Sequence, residues 1–197
     1  MSGVAAGKRG VRGTTLVELV VAAGLGVLVL GACIGAVAGA AHVVAAVGGR
    51  AEAEDTAQLA VEAFRFDLRR AGFDPAGTGI EGLAAALSDQ VTVQADLDAD
   101  GAIDTGSEEV TRWVCAPSPP RLSRIIGAQS LPVAAPTARC RLRYLDSEGL
   151  ELTPATGGLG ATERERVRRV ALDLAVEPPT GGAPAERSAD VALRAGS

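Results

Sequence analysis

From Leu19 to Ala41 the chain runs 23 residues without a charge. A helix of that length reaches about 34 Å at about 1.5 Å per residue, enough to cross a hydrocarbon core of about 30 Å. Glu18 stands at the mouth of this tract, and Lys8, Arg9 and Arg12 precede it. The excess of basic residues on that side predicts a cytoplasmic amino terminus and an extracytoplasmic remainder. A carboxylate at the entrance to an apolar span costs a few kcal/mol in lipid and so marks function by default.

Past Arg50 polarity rises but the helical period continues, with Ala57, Ala60, Phe64, Leu68 and Ala71 at three- and four-residue spacing and Gly72 as the stop. The pattern predicts one helix over residues 15–71, embedded in its first half, amphipathic in its second and bent at Gly48-Gly49. A Gly/Ala-rich stretch from Pro75 to Leu87 carries no clear period. Alternating runs then predict four strands: at Val91 and Val93, at Val110 to Cys115, at Cys140 to Leu145, and at Val170, Leu172, Leu174 and Val176. Trp113 and Cys115 share one strand face, as do Cys140, Leu142 and Tyr144. The tail after Pro178 holds Gly181, Gly182 and Pro184 and is expected to be disordered. The sum is an α+β fold, a long amino-terminal helix packed on an antiparallel sheet.

Composition sharpens this picture. Aromatic residues make up 3% of the chain, so small aliphatic side chains must build the core. Cys115 and Cys140 fall in the extracytoplasmic part, where disulfides persist. They form either a bridge, closing a loop worth about 3 kcal/mol on the chain-entropy model, or two buried thiols. Arg139, Arg141 and Arg143 lie on the opposite face from Cys140 as a positive ladder, read as a solvated strand face in preference to a site for an acidic partner or DNA. Arg164, Arg166, Arg168 and Arg169, interleaved with Glu163 and Glu165, are read the same way.

Residues Gly13-Thr14-Thr15-Leu16-Val17-Glu18-Leu19, behind a short basic leader, resemble the processing signal of type IV prepilins. The resemblance implies cleavage between Gly13 and Thr14, methylation of the new amino terminus, and retention of the whole helix. Glu18, fifth after the cut, is implied to pair with the amino terminus of a neighbouring subunit, as a carboxylate among apolar helices requires. The first mature residue in the family is usually Phe and here is Thr14, a departure tolerated among minor pilins and pseudopilins. The string Asp67-Leu68-Arg69-Arg70-Ala71-Gly72-Phe73 is similar to the helix end of PilW-type minor pilins and of the J-type pseudopilins of type II secretion. Composition alone explains its arginines, which the helix dipole favours at a carboxyl end.

On this reading residues 1–13 are a leader, 14–47 a transmembrane and assembly helix, 48–177 an extracytoplasmic head, and 178–197 the tail. Without Lys8, Arg9 and Arg12 the chain keeps 16 basic and 24 acidic residues, a net −8 that disfavours nonspecific nucleic-acid binding. The expected role is a minor-pilin structural subunit of the inner membrane and then of a pilus. Its expected partners are other pilins or pseudopilins, the prepilin peptidase and the assembly platform. A J-type pseudopilin or a DNA-uptake component is the alternative within the class. Outside it stands a lipoprotein or anchored binding module, since Leu30-Gly31-Ala32-Cys33 has the form of a lipobox that lipidates Cys33. Ala38-Gly39-Ala40 has the form of a signal-peptidase site.

One stretch has the form of a metal loop. Asp96, Asp98 and Asp100 occupy the first, third and fifth places of a calcium loop, with Gly101 sixth and Asp104 ninth. The twelfth place is Ser107; Glu108 and Glu109 lie one and two residues on, and Glu108 is taken as the closing ligand for Ca2+. A solvated acidic turn with Asp100-Gly101 at its tip is the alternative. Enzyme chemistry is not expected: His42 and Lys8 are the lone residues of their kinds, and no phosphate loop, nucleophile elbow or zinc cluster appears.

Overall fold

The computed structural model describes residues 15–194. The chain divides into two compact units, Met1–Ala45 and Ala46–Ser197. The described part of the first is helical from Leu16, and its large apolar side chains are exposed, Leu16 at 80% and Val29 at 63%. It lies within helix α1 (Leu16–Arg70), which is long and apolar enough to cross a membrane.

In the second unit α1 becomes one-sided. Ala53, Ala57, Ala60, Val61, Phe64, Asp67 and Leu68 are buried, a stripe at helical spacing. Arg69 and Arg70 occupy the last turn, where the helix dipole favours cations. The helix stops because Gly72 takes a φ of +71°, a left-handed conformation that ends helices, and its N–H donates to the Gln94 carbonyl at 2.9 Å. Gly48 and Gly49, expected to bend the helix, are themselves helical. Gly49 also serves close packing: a Cβ there would lie 2.3 Å from Thr180 Oγ1.

Two antiparallel sheets follow. Sheet A has the order β1 (Leu83–Ala86), β2 (Gln90–Gln94), β3 (Val110–Pro117), β4 (Pro120–Ile126), β5 (Gln129–Ala134). Sheet B has the order β7 (Glu151–Leu152), β6 (Thr137–Leu145), β8 (Arg169–Val176), β9 (Ala185–Ala192). A short helix α2 (Ala161–Arg166) precedes β8. Pairing sets Val91 opposite Trp113 and Cys115 opposite Leu122 in sheet A, and Leu142 opposite Leu172 in sheet B. These residues, with the α1 stripe, form one hydrophobic cluster.

The four expected strands are β2, β3, β6 and β8. The tail is corrected: Ala185–Ala192 is β9, paired with β8 along its length and burying Ala185, Ala189 and Val191. Small side chains at period two suffice to cover an edge of the core, so few large apolar groups did not mean disorder. The run Glu163 to Arg166 is also corrected, from strand face to the α2 helix, whose Gly160 N–H donates to Glu163 Oε2 at 2.9 Å.

Three ties join these layers. Cys115 of β3 and Cys140 of β6 form a disulfide with a Cα–Cα distance of 5.5 Å, linking sheet A to sheet B. Tyr144 Oη of β6 lies 2.7 and 2.9 Å from the Leu87 and Gln90 carbonyls of the β1–β2 hairpin; burial, with the Asp89 charge adding to it, raises its pKa far above the ordinary value. The third tie is ionic. The Asp67 carboxylate of α1, 2% exposed, accepts bonds from Trp113 Nε1 at 3.0 Å, Arg124 Nε at 2.6 Å, Arg124 Nη2 at 2.8 Å and Arg70 Nη2 at 3.0 Å. Phe64 packs edge-on to Trp113 beside it, ring centroids 5.5 Å apart.

Removing one partner of a buried ion pair strands the other without its charge. Asp67→Ala is therefore expected to destabilise the head by about 3 kcal/mol, the usual scale for such a loss. Urea unfolding of the full chain in detergent measures it, and Arg124→Met in the same background should recover part of the loss.

Candidate functional site

Gly13 and Thr14, the expected cleavage and methylation residues, lie outside the described residues. Glu18 lies inside them, in the first turn of α1. Its backbone N–H faces Thr15 Oγ1 at 3.4 Å. Thr15 to Glu18 has the spacing of a capping box, in which a hydroxyl at the helix start takes a free N–H of the first turn. The cap accounts for the backbone of Glu18 but not for its carboxylate. Among the described residues no arginine precedes Arg50, and the intervening His42 is helical and exposed. A negative charge there is favoured by the helix dipole and by any cation supplied from outside the described chain.

The acidic loop between β2 and β3 is built around two buried carboxylates. Asp96, fully buried, accepts N–H bonds from Ala99 at 2.7 Å and Gly101 at 3.0 Å. Glu109, 5% exposed, accepts from Leu97 at 2.8 Å, Asp98 at 3.4 Å and Asp104 at 2.8 Å. The loop thus folds onto its own side chains, and Ala99 at φ 65° and Gly101 at φ 82° supply the left-handed turns.

Of the expected ligands, Asp96 and Asp98 come together, and Glu109 joins them in place of Glu108, with one oxygen from each within 4.8 Å of the others. That span matches ligands about 2.4 Å from one hard cation. Asp100 and Asp104 spend an oxygen each on the Ala102 and Gly106 N–H groups, and Glu108 turns to Arg70 at 3.9 Å. The sequence offers both Glu108 and Glu109, and spacing alone cannot say which of two adjacent glutamates faces inward.

Charge is unevenly balanced here. N–H bonds from Asp104 and Leu97, outweighing desolvation, hold Glu109 below its ordinary 4.5. Asp98 is also drawn down by the Asp100 N–H, but desolvation and the charges of Asp100, Glu109 and Asp96 prevail and leave it above its ordinary value.

The arginine ladder is not a free positive surface. Arg139 pairs with Glu186, Arg141 with Glu151 at 2.9 Å, Arg143 with Asp173 at 3.0 Å, and Arg169 with Asp190 at 3.2 Å. Sheet register places Ala171 and Ala175 beneath this layer, both buried, so the arginine stems cover them while their heads meet carboxylates from β7, β8 and β9. Arg164 and Arg166 likewise reach Glu81 and Asp146.

The sequence matches no family model and no curated protein.

A depressed carboxyl group stabilises the fold above its unfolded value and loses that contribution as pH falls through its folded one. Asp146, lowered mainly by the Leu150 N–H, and Asp74, lowered mainly by the Thr78 N–H, act with Glu109 in the same direction. The melting temperature should hold above the ordinary 4.5 of Glu109 and fall as pH drops below it. Glu109→Gln should lower the melting temperature at neutral pH and make its decline in acid shallower, as read by a pH series of thermal melts.

Proposed function

We propose that this chain is a pilin-like structural subunit, processed after Gly13 and assembled through α1 into a type IV pilus or related filament. The observation that carries the proposal is the two-part character of α1. Its first part is an exposed apolar helix whose single charge, Glu18, sits in the first turn. Its second part turns a stripe of small residues and Phe64 onto an antiparallel head. A subunit that leaves a bilayer for a filament needs both: an apolar helix that can exchange lipid for neighbouring helices, and a folded head that keeps it oriented.

Cys33 bears on the rival reading. It is exposed in the middle of the apolar helix, which continues through Ile34 to Val47. Cleavage before Cys33 would divide that helix and leave an apolar segment where a lipoprotein turns polar. This favours retention of the whole helix over lipidation. Within the filament class, the helix end from Asp67 to Phe73 resembles PilW-type minor pilins and J-type pseudopilins alike; a PilW-type minor pilin is the first choice and a J-type pseudopilin the second.

The glutamate gives the test. A carboxylate removed from water seeks an opposite charge, here the amino terminus of a neighbouring subunit. Glu18→Ala should insert into the membrane as well as the unaltered chain and fall at least about tenfold in the sheared filament fraction, the loss set by one unpaired charge. Immunoblots of membrane and filament fractions read both quantities, and equal incorporation of the variant would defeat the proposal.

A further inference from the structure

The face of sheet A turned away from α1 holds an unbalanced set of donors. Leu122 and Arg124 of β4 face the core, Arg124 through its bonds to Asp67, so alternation puts Arg121, Ser123 and Ile125 on the outer face. Register adds Val114 and Arg112 of β3 to that face. Ser123 is 3% exposed and its Oγ has no hydrogen-bond partner; the buried Arg121 Nε has none either. Neither Arg112 nor Arg121 enters any of the ion pairs among the described residues. Buried donors without acceptors are uncommon because each costs the solvation it has lost. Arg121, half-buried and two residues from Ser123 on the same strand face, can offer its guanidinium to an anionic oxygen there.

The same chain carries the complementary charge elsewhere. Asp98 and Asp100 are exposed, and no described arginine or histidine pairs with either. The loop leads into Val110 at one end of β3, whereas Arg121 pairs with Ala116 at the other end. Six residue steps along the strand separate the two, about 20 Å, so the loop cannot reach its own Arg121 along the sheet.

We propose that the Arg121 end of the outer face of sheet A is a docking site for carboxylates, and that its occupant is the Asp98–Asp100 loop of a second copy of this chain. Charge complementarity fits this occupant: Arg139, Arg141, Arg143 and Arg169 of sheet B have their own carboxylates, and Arg112 and Arg121 do not. The two surfaces differ and lie at opposite ends of one sheet, so the contact is heterologous and propagates head to tail. It depends on the head alone and holds whether or not the amino terminus is processed as proposed above.

Sedimentation velocity of the full chain in detergent tests this at about 30 mM and about 500 mM salt, since exposed charge pairs are screened as ionic strength rises. Association should be strong at low salt and lost at high salt; association through the apolar helix would survive the salt. Arg121→Gln, and separately Asp98→Asn with Asp100→Asn, should each weaken it at least about tenfold, as expected for truncating one side of a charge pair. The asparagines keep the oxygens that the loop uses for its own N–H bonds, and Arg121→Lys should retain association by keeping the charge. Mixing the two weakened variants should restore pairing but stop at heterodimers, because each retains one intact surface. A wild-type chain that does not associate, association indifferent to Arg121→Gln, or a mixture that behaves like either variant alone would each overturn the proposal.

Discussion

The head depends on one buried negative charge. Asp67 sits in the same α1 stripe as Phe64 and Leu68 and meets four donor groups, two from Arg124 and one each from Trp113 and Arg70. Trp113 and Arg124 are themselves paired across β3 and β4, so the carboxylate touches two strands at one register position. A buried ion pair need not exceed an apolar substitute in free energy. What it adds here is direction: rotation of α1 or a slide by one turn would bury the charge without its partners. Nearby apolar contacts do not discriminate so sharply, since Ala53, Ala57 and Ala60 present almost the same surface at each turn.

That lack of shape follows from composition. With few aromatic residues and a core of Ala, Val and Leu, the two sheets have little large-residue interlock beyond Trp113, Tyr144 and Phe64. The disulfide and the Tyr144 hydroxyl compensate by tying the sheets at separate points. The outer layer of sheet B follows the same economy, with arginine stems roofing the buried alanines Ala171 and Ala175. Charges read in isolation as a positive ladder are the exposed ends of that roof.

How much was legible follows the physics of each element. The α1 stripe and strands β2, β3, β6 and β8 were readable because large apolar residues repeat at the right period. Strand β1 (LAAA) has no alternation, β4 and β5 carry Pro120 and Pro132, and the small-residue face of β9 is interrupted by Arg187, so none rises above its flanking turns. Cys115 and Cys140 were recognisable as a pair from their compartment and strand faces. Asp67 was visible only inside a motif; its partners lie 46 and 57 residues away, and no local pattern announces a bond at that distance. In the acidic loop the turn residues were plain, but the choice between Glu108 and Glu109 depended on which way β3 enters the sheet.

Glu18 and Asp67 thus mark the two ends of the argument. The second is matched within the chain, and the first is not matched by any described cation. A filament subunit leaves such a charge for its neighbour to meet, and that neighbour's contribution exists only if processing has created a new amino terminus beside it. Mass spectrometry of the amino-terminal peptide from the chain isolated in its native membrane tests this most directly. A chain beginning at N-methylated Thr14 is expected of a processed filament subunit, whereas an intact leader beginning at Met1 or Ser2, or a lipidated Cys33 as first residue, would rule that reading out.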